Sequence, residues 1–223
     1  MAAQVGGAAD PRRAPAADGT RTVVLLAGAS GSGKSRLATS AGCPRLNLDD
    51  FYHDGDAPGL PRTLGIVDWD HPASWDQASA VAAVVRLCRE GSALVPVYDI
   101  ARSARAGEHR VDVSGAPLFV AEGVFAPEVV RPLQEAGVAV EPLYLDRSRT
   151  ANLLRRFLRD VAEHRKPLPV LVRRGWALWR REPADRAHAL AAGCRPVPVG
   201  AALSRLRAPT TTPATTTTGT PAG

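Results

Sequence analysis

Lysine is almost missing from this chain: two, Lys34 and Lys166, stand against 26 arginines in 223 residues. Aromatic residues make up only 5%, and cysteine occurs three times, at Cys43, Cys88 and Cys194. Three widely spaced thiols fit neither a disulfide framework nor a zinc site, and they suit a reducing cytoplasm. Each reads as a small buried hydrophobe, and the five histidines have no metal-ligand spacing. No apolar run approaches the roughly 20 residues that cross a bilayer. The first 19 residues have no apolar signal-peptide core, so no export is expected. With 45% hydrophobic and 22% charged residues, global disorder is excluded.

The length suits one compact α/β domain. The net charge is +6, almost all of it from arginine. An arginine surplus suits nucleic acid, but it also suits a site that grips phosphates through two parallel hydrogen bonds. Residues 1–20, rich in Ala, Gly and Pro, read as a flexible arm. Residues 208–223, an uncharged Thr/Pro run, read as a disordered tail. Neither buries enough apolar surface to offset the entropy of ordering.

Between them, strand and helix signals alternate. Thr22–Ala27 is a short β-branched run, a buried strand. Further strands are expected at Arg45–Leu48, Leu94–Tyr98, Leu118–Ala121, Val138–Leu145 and Val197–Val199. Helices are expected from near Gly33, over Ser74–Arg89 with Ser74 as cap, over Pro127–Glu135 and over Ser148–Glu163. This order predicts an α/β fold of the P-loop NTPase type: a parallel sheet of five strands, helices on both faces, and a small lid at about 147–181 within a domain spanning 21–207.

The first strand runs into Gly28-Ala29-Ser30-Gly31-Ser32-Gly33-Lys34-Ser35, the pattern G-x-x-x-x-G-K-[ST], with a strand before it and a helix after. The glycines let the backbone close around a phosphate. Successive N–H groups and the positive end of the next helix then hold it. Lys34 is suited to the β- and γ-phosphates, and the Ser35 hydroxyl to magnesium. One of two lysines in the whole chain occupies the position the pattern requires. A guanine-reading Asn-Lys-x-Asp is missing, which favours ATP.

Past the second strand comes Asn47-Leu48-Asp49-Asp50-Phe51-Tyr52. Acids at the carboxyl end of a parallel strand face the ligand side of the sheet, where a kinase needs a proton acceptor. An Asp pair also suits a plain turn. The chain here resembles the uridine kinase family, which includes uridine/cytidine kinases and has phosphoribulokinase as a relative. The segments carrying the resemblance are the loop at 28–35, LDDFY at 48–52, DWDHP at 68–72, PVYD at 96–99 followed by Arg105, FVAEG at 119–123 and RRFLRD at 155–160.

The resemblance implies ATP and Mg2+ as cofactors and a small hydroxyl acceptor, a nucleoside such as uridine or cytidine, phosphorylated at its 5′-OH. It implies Asp49 as general base, and Tyr52, Asp70, Tyr98 and Arg105 on the acceptor. It further implies Glu122 in the magnesium shell and Arg156 and Arg159 closing over the phosphates. These two arginines lie three apart and share a helix face opposite the apolar stripe, a placement that also suits a solvated surface. His71 would orient Asp70.

Three departures bear on the acceptor. Ser103 stands where the family carries a base-reading histidine, Ile100 replaces an aromatic, and His164-Arg165-Lys166 replaces Arg-Gly-Arg. A kinase for another small hydroxylated metabolite, a sugar or vitamin precursor, therefore stays open. So does a nucleotide-binding regulator or nucleic-acid-associated ATPase, although arginines concentrated at 147–181 favour closure over phosphates. Trp176 and Trp179, three apart, read as helix packing.

Overall fold

The computed structural model describes residues 21–63, 65–162 and 168–207, with backbone alone described at 156, 158–162, 168–174 and 177–178. The expected arm and tail, and His164-Arg165-Lys166, lie outside them.

The centre is a parallel sheet. Its strands are β1 (Thr22–Ala27), β2 (Arg45–Asn47), β7 (Leu118–Glu122), β8 (Val140–Asp146) and β9 (Arg195–Pro198), in the spatial order β2-β7-β1-β8-β9. β1 is the middle strand, flanked on both sides by parallel partners, and its apolar run is buried on both faces. Val23, Leu25 and Ala27 face one core, where α2 (Gln77–Glu90) supplies Ala80, Val84 and Leu87 and α3 (Val130–Glu135) supplies Leu133. Val24 and Leu26 face the other, filled by Leu37 and Ala38 of α1 (Lys34–Ala41) and Ala202 and Leu206 of α6 (Val199–Arg207). Full burial of such a side chain contributes roughly 1.5–3 kcal/mol, so β1 is firmly anchored in the core. The loop that leaves it inherits that rigidity.

Several elements depart from the sequence-based expectation. α2 begins at Gln77, not Ser74. Its cap is Asp76, which accepts from the Ser79 N–H at 3.0 Å, while Ser74 is buried and donates to the His71 carbonyl at 2.7 Å. The apolar run around Leu94–Tyr98 is a strand, β5 (Ser92–Asp99), but it leaves the parallel sheet. It pairs antiparallel with β6 (Ala104–Asp112) in a two-stranded ribbon. Ala93 and Val95 of β5 are buried and Leu94 is 61% exposed, so the ribbon covers the core with one face only. A second, small ribbon is formed by β3 (Arg62–Thr63) and β4 (Ile66–Val67).

After β8, α4 (Arg149–Ala162) and α5 (Leu168–Ala191) form a hairpin. α5 runs back along α4, with Gly175 against Leu153 and Trp179 against Arg149. The two tryptophans do not pack into the core. They stack on each other at 5.0 Å, the Arg149 guanidinium lies 4.0 Å over the Trp179 ring, and Trp176 is 55% exposed. Asn152 and Glu182 close the hairpin with a buried 2.8 Å hydrogen bond.

Candidate active site

The site lies at the carboxyl ends of β1, β2 and β7. Gly33 takes a left-handed φ of 93° at the start of α1, a conformation nearly closed to other residues, and this aims the first N–H groups of α1 back toward the loop. Lys34 follows directly, and its ammonium donates to the carbonyls of Gly28 at 2.8 Å and Ala29 at 3.3 Å. Cations gather beside the loop. The Arg155 guanidinium lies 3.6 Å from the position a Cβ would take on Gly33. Burial, with the neighbouring charges of Arg155 and Arg36, pulls the Arg147 pKa below its ordinary value. A cleft mouth that strains to hold so many cations suits an anionic ligand.

Ser35 and Glu122, 87 residues apart, meet here: the hydroxyl donates to Glu122 Oε1 at 2.6 Å. Glu122 ends β7 and is only 3% exposed. The same oxygen accepts from Arg45 Nη1 at 2.9 Å. Hydroxyl and carboxylate are hard oxygen donors, the set that suits magnesium when nucleotide phosphates supply the rest. No group of three or more His, Cys, Asp or Glu able to hold a metal occurs among the described residues.

Asp49 sits in the short 3-10 turn that follows β2. Its Oδ1 accepts from the Val124 N–H at 3.1 Å. It keeps some contact with solvent, but the protein packed around it pushes its pKa above the ordinary carboxylate range, with the Lys34 charge opposing. Burial is also the main cause that raises Asp50. Gly123 explains how Asp49 fits. A Cβ there would stand 2.7 Å from Asp49 Oδ1 and 2.9 Å from Leu48 Cβ, closer than packed atoms allow.

The acceptor residues implied by resemblance are partly brought together. Tyr52 and Tyr98 face each other at 5.6 Å between ring centroids. Two residues outside that set complete the group: Trp69, at 5.5 Å from Tyr52 and 6.3 Å from Tyr98, and Phe125, at 5.8 Å from Tyr52. Both sit in or beside segments already singled out, DWDHP and FVAEG, so their signal was adjacency. The tyrosine hydroxyls are fixed, Tyr52 donating to the Trp69 carbonyl and Tyr98 to the His53 carbonyl, each at 3.1 Å. Desolvation first, then the charge of Asp54, raises the Tyr98 pKa.

Asp70 is half-exposed beside this group and meets α5, where Arg181 Nη2 donates to its carbonyl at 3.3 Å. His71 does not orient Asp70. Its Nδ1 accepts from the Ala73 N–H at 3.1 Å and caps the turn Pro72–Ser74. Arg105 is engaged elsewhere, its guanidinium on Asp76 Oδ2 at 3.1 Å and its N–H on Asp54 Oδ1 at 2.6 Å. It braces the ribbon against α2 from a position opposite Tyr98 in the β5–β6 register. Ser103, at the ribbon tip, has the one positive φ outside glycine among the described residues, 50°. The side chains of Arg156 and Arg159 lie outside the described residues.

No family model matches the chain. Among curated proteins it is similar to the uridine kinase of Bacillus pumilus, 28% identical over 158 residues, which covers 67% of this chain and 72% of that one. It is similar to the uridine kinase of Ureaplasma parvum serovar 3 at 26% over 153 residues, covering 65% and 71%. Among solved structures it shares its fold with a putative fructose transport system kinase from Silicibacter sp. TM1040. That match has a TM-score of 0.53 and 23% identity, and covers 84% of this chain and 90% of the other. Together with the loop and the sheet, the curated likenesses support the class of P-loop kinase for this chain. Its curated relatives support a uridine kinase-like family within that class.

Proposed function

We propose that the protein transfers the γ-phosphate of ATP to a hydroxyl of a small molecule, the 5′-OH of uridine or cytidine. The observation that carries this is the meeting, at the carboxyl ends of neighbouring strands, of the Ser35–Glu122 pair, Lys34 and a desolvated Asp49 beside a cluster of four aromatic rings. In the reaction the acceptor oxygen attacks the γ-phosphorus, the bond to the β–γ bridging oxygen breaks, and ADP leaves. Asp49 takes the hydroxyl proton; its raised pKa brings it nearer to neutrality, which makes it a better proton acceptor than an ordinary aspartate. Lys34 and the loop amides stabilise charge developing on the phosphate oxygens. Ser35 and Glu122 would hold magnesium, which when bound neutralises phosphate charge.

Tyr52, Tyr98 and Trp69 offer flat apolar faces suited to a planar base, and Asp70 suits the ribose diol. The hairpin of α4 and α5 acts as the lid. It carries Arg155 over the loop, with Arg156 and Arg159 on the same helix, and its closure excludes water. No described helix is long and apolar enough to cross a membrane, and three buried cysteines outside any disulfide fit a reducing cytoplasm.

A second reading is favoured by one residue. Ser103 offers neither a ring to stack nor an imidazole to read a pyrimidine, so the acceptor can be a different small polyol. The experiment is a screen of uridine, cytidine, adenosine and simple sugars with Mg·ATP, followed by ADP release. Stimulation by a pyrimidine nucleoside is expected. Stimulation by a sugar alone would move the assignment to the second reading. Hydrolysis that responds only to RNA or DNA would overturn both.

A further inference from the structure

Glu122 serves two donors at once, one neutral and one charged. Its Oε1 takes the Ser35 hydroxyl at 2.6 Å and the Arg45 guanidinium at 2.9 Å. Register explains the contact. β2 pairs with β7 so that Asn47 lies opposite Glu122 and Arg45 opposite Val120. Side chains two apart on a strand share a face, so Arg45 lies on the same side of the sheet as Val120, Glu122 and α1. From there it reaches one step along the strand to the carboxylate. Arg45 is 40% exposed in its side chain against 4% for Glu122, so the arginine can withdraw toward solvent while the acid cannot. Its charge is also felt at Asp50.

We propose that Arg45 is a positioning residue that sets how tightly this site takes a divalent cation, by competing with it for the charge of Glu122. This rests on the reading of Ser35 and Glu122 as the magnesium-side residues. The guanidinium holds the carboxylate against the Ser35 hydroxyl, so the pair is formed in advance. Its positive charge also opposes a second cation at the same acid. For charges of one and two units about 7 Å apart at an effective permittivity between about 40 and 80, the repulsion amounts to roughly a seven- to fiftyfold loss of metal affinity. The benefit is selectivity: a cation that brings its own phosphates outweighs the arginine, and a free one does not.

The test is Mn2+ binding followed by electron paramagnetic resonance, with and without a non-hydrolysable ATP analogue, on the wild-type chain and on Arg45→Gln, Arg45→Leu and Arg45→Lys. Gln keeps a donor for Glu122 and removes the charge; Lys keeps the charge. Gln and Leu should both tighten Mn2+ about seven- to fiftyfold, and Lys should stay near wild type. Unchanged or weaker Mn2+ binding in Arg45→Gln, with the analogue still bound, would overturn the role of Arg45 alone. A wild-type protein whose analogue binding does not depend on Mn2+ would overturn the magnesium-side reading itself, whatever the variants do. Circular dichroism of each variant separates either result from unfolding.

Discussion

Replacing Gly123 by alanine tests whether the placement of Asp49 matters. The glycine has no positive φ, so alanine is allowed by the backbone and the whole effect is steric. The added Cβ would meet Asp49 Oδ1 at 2.7 Å and Leu48 Cβ at 2.9 Å. Relief to an ordinary contact displaces the carboxylate by about 0.7 Å. Leu48 is fully buried and cannot yield freely, so the carboxylate takes most of the movement. Overpacking of this kind costs about 1–3 kcal/mol, or a fall in Tm of roughly 2–10 °C for a domain of this size. A shift near 1 Å in a reacting group costs about 10²-fold in rate. The loop and Lys34 are untouched, so nucleotide affinity should hold within about twofold while kcat falls about 10²-fold. Differential scanning fluorimetry, nucleotide titration and steady-state turnover measure the three. A Gly123→Ala protein with near wild-type kcat would show that the carboxylate has room to spare or takes no proton.

Three further outcomes follow from the same geometry. Lys34→Ala should abolish transfer while leaving the thermal transition in place, checked by ADP release and calorimetry, because the ammonium is anchored on carbonyls of the loop. Asp49→Asn should keep ATP binding and lose most turnover, and a near-full rate would move the base to Asp50. With Asp49 present, the acid limb of kcat/KM should lie above the ordinary carboxylate range, since burial favours the protonated form. For the same group the native state holds its proton longer than the unfolded chain, so its contribution to stability is lost as pH rises through the raised pKa. Asp76→Ala should destabilise by about 1–2 kcal/mol through loss of the α2 cap. Burial works against the Asp76 charge, but hydrogen bonds from Ser79 and Arg105 outweigh it and depress the pKa. The wild-type chain should therefore lose stability as pH falls through that depressed value, and the alanine variant should not; denaturation at several pH values measures this.

The phosphate loop was legible in the sequence because its function is contiguous. Eight consecutive residues between a buried strand and a helix define it, and no distant contact is needed to recognise them. The middle of the sheet was legible for a related reason: β1 and β7 are buried on both faces and almost wholly apolar. β6 escaped notice because its residues are nearly all exposed and charged or small, leaving no period to detect. β5 was legible as a strand, but its antiparallel pairing with β6 was not, because its partner carries no hydrophobic period. α5 was hidden by Gly175 and by Pro183 inside it, residues that ordinarily argue against a helix interior.

Local chemistry in the chain thus determined where a triphosphate can sit and which acids lie near it, because those groups are neighbours in sequence or end consecutive strands. Only the tertiary structure decided which side chains share one carboxylate and which rings share one pocket. Arg45 reaches Glu122 across 77 residues through the register of two parallel strands, and Tyr52, Trp69, Tyr98 and Phe125 come from separate segments. Strand register and the docking of a ribbon are set by burial summed over the whole core, and no single segment of the chain encodes that sum.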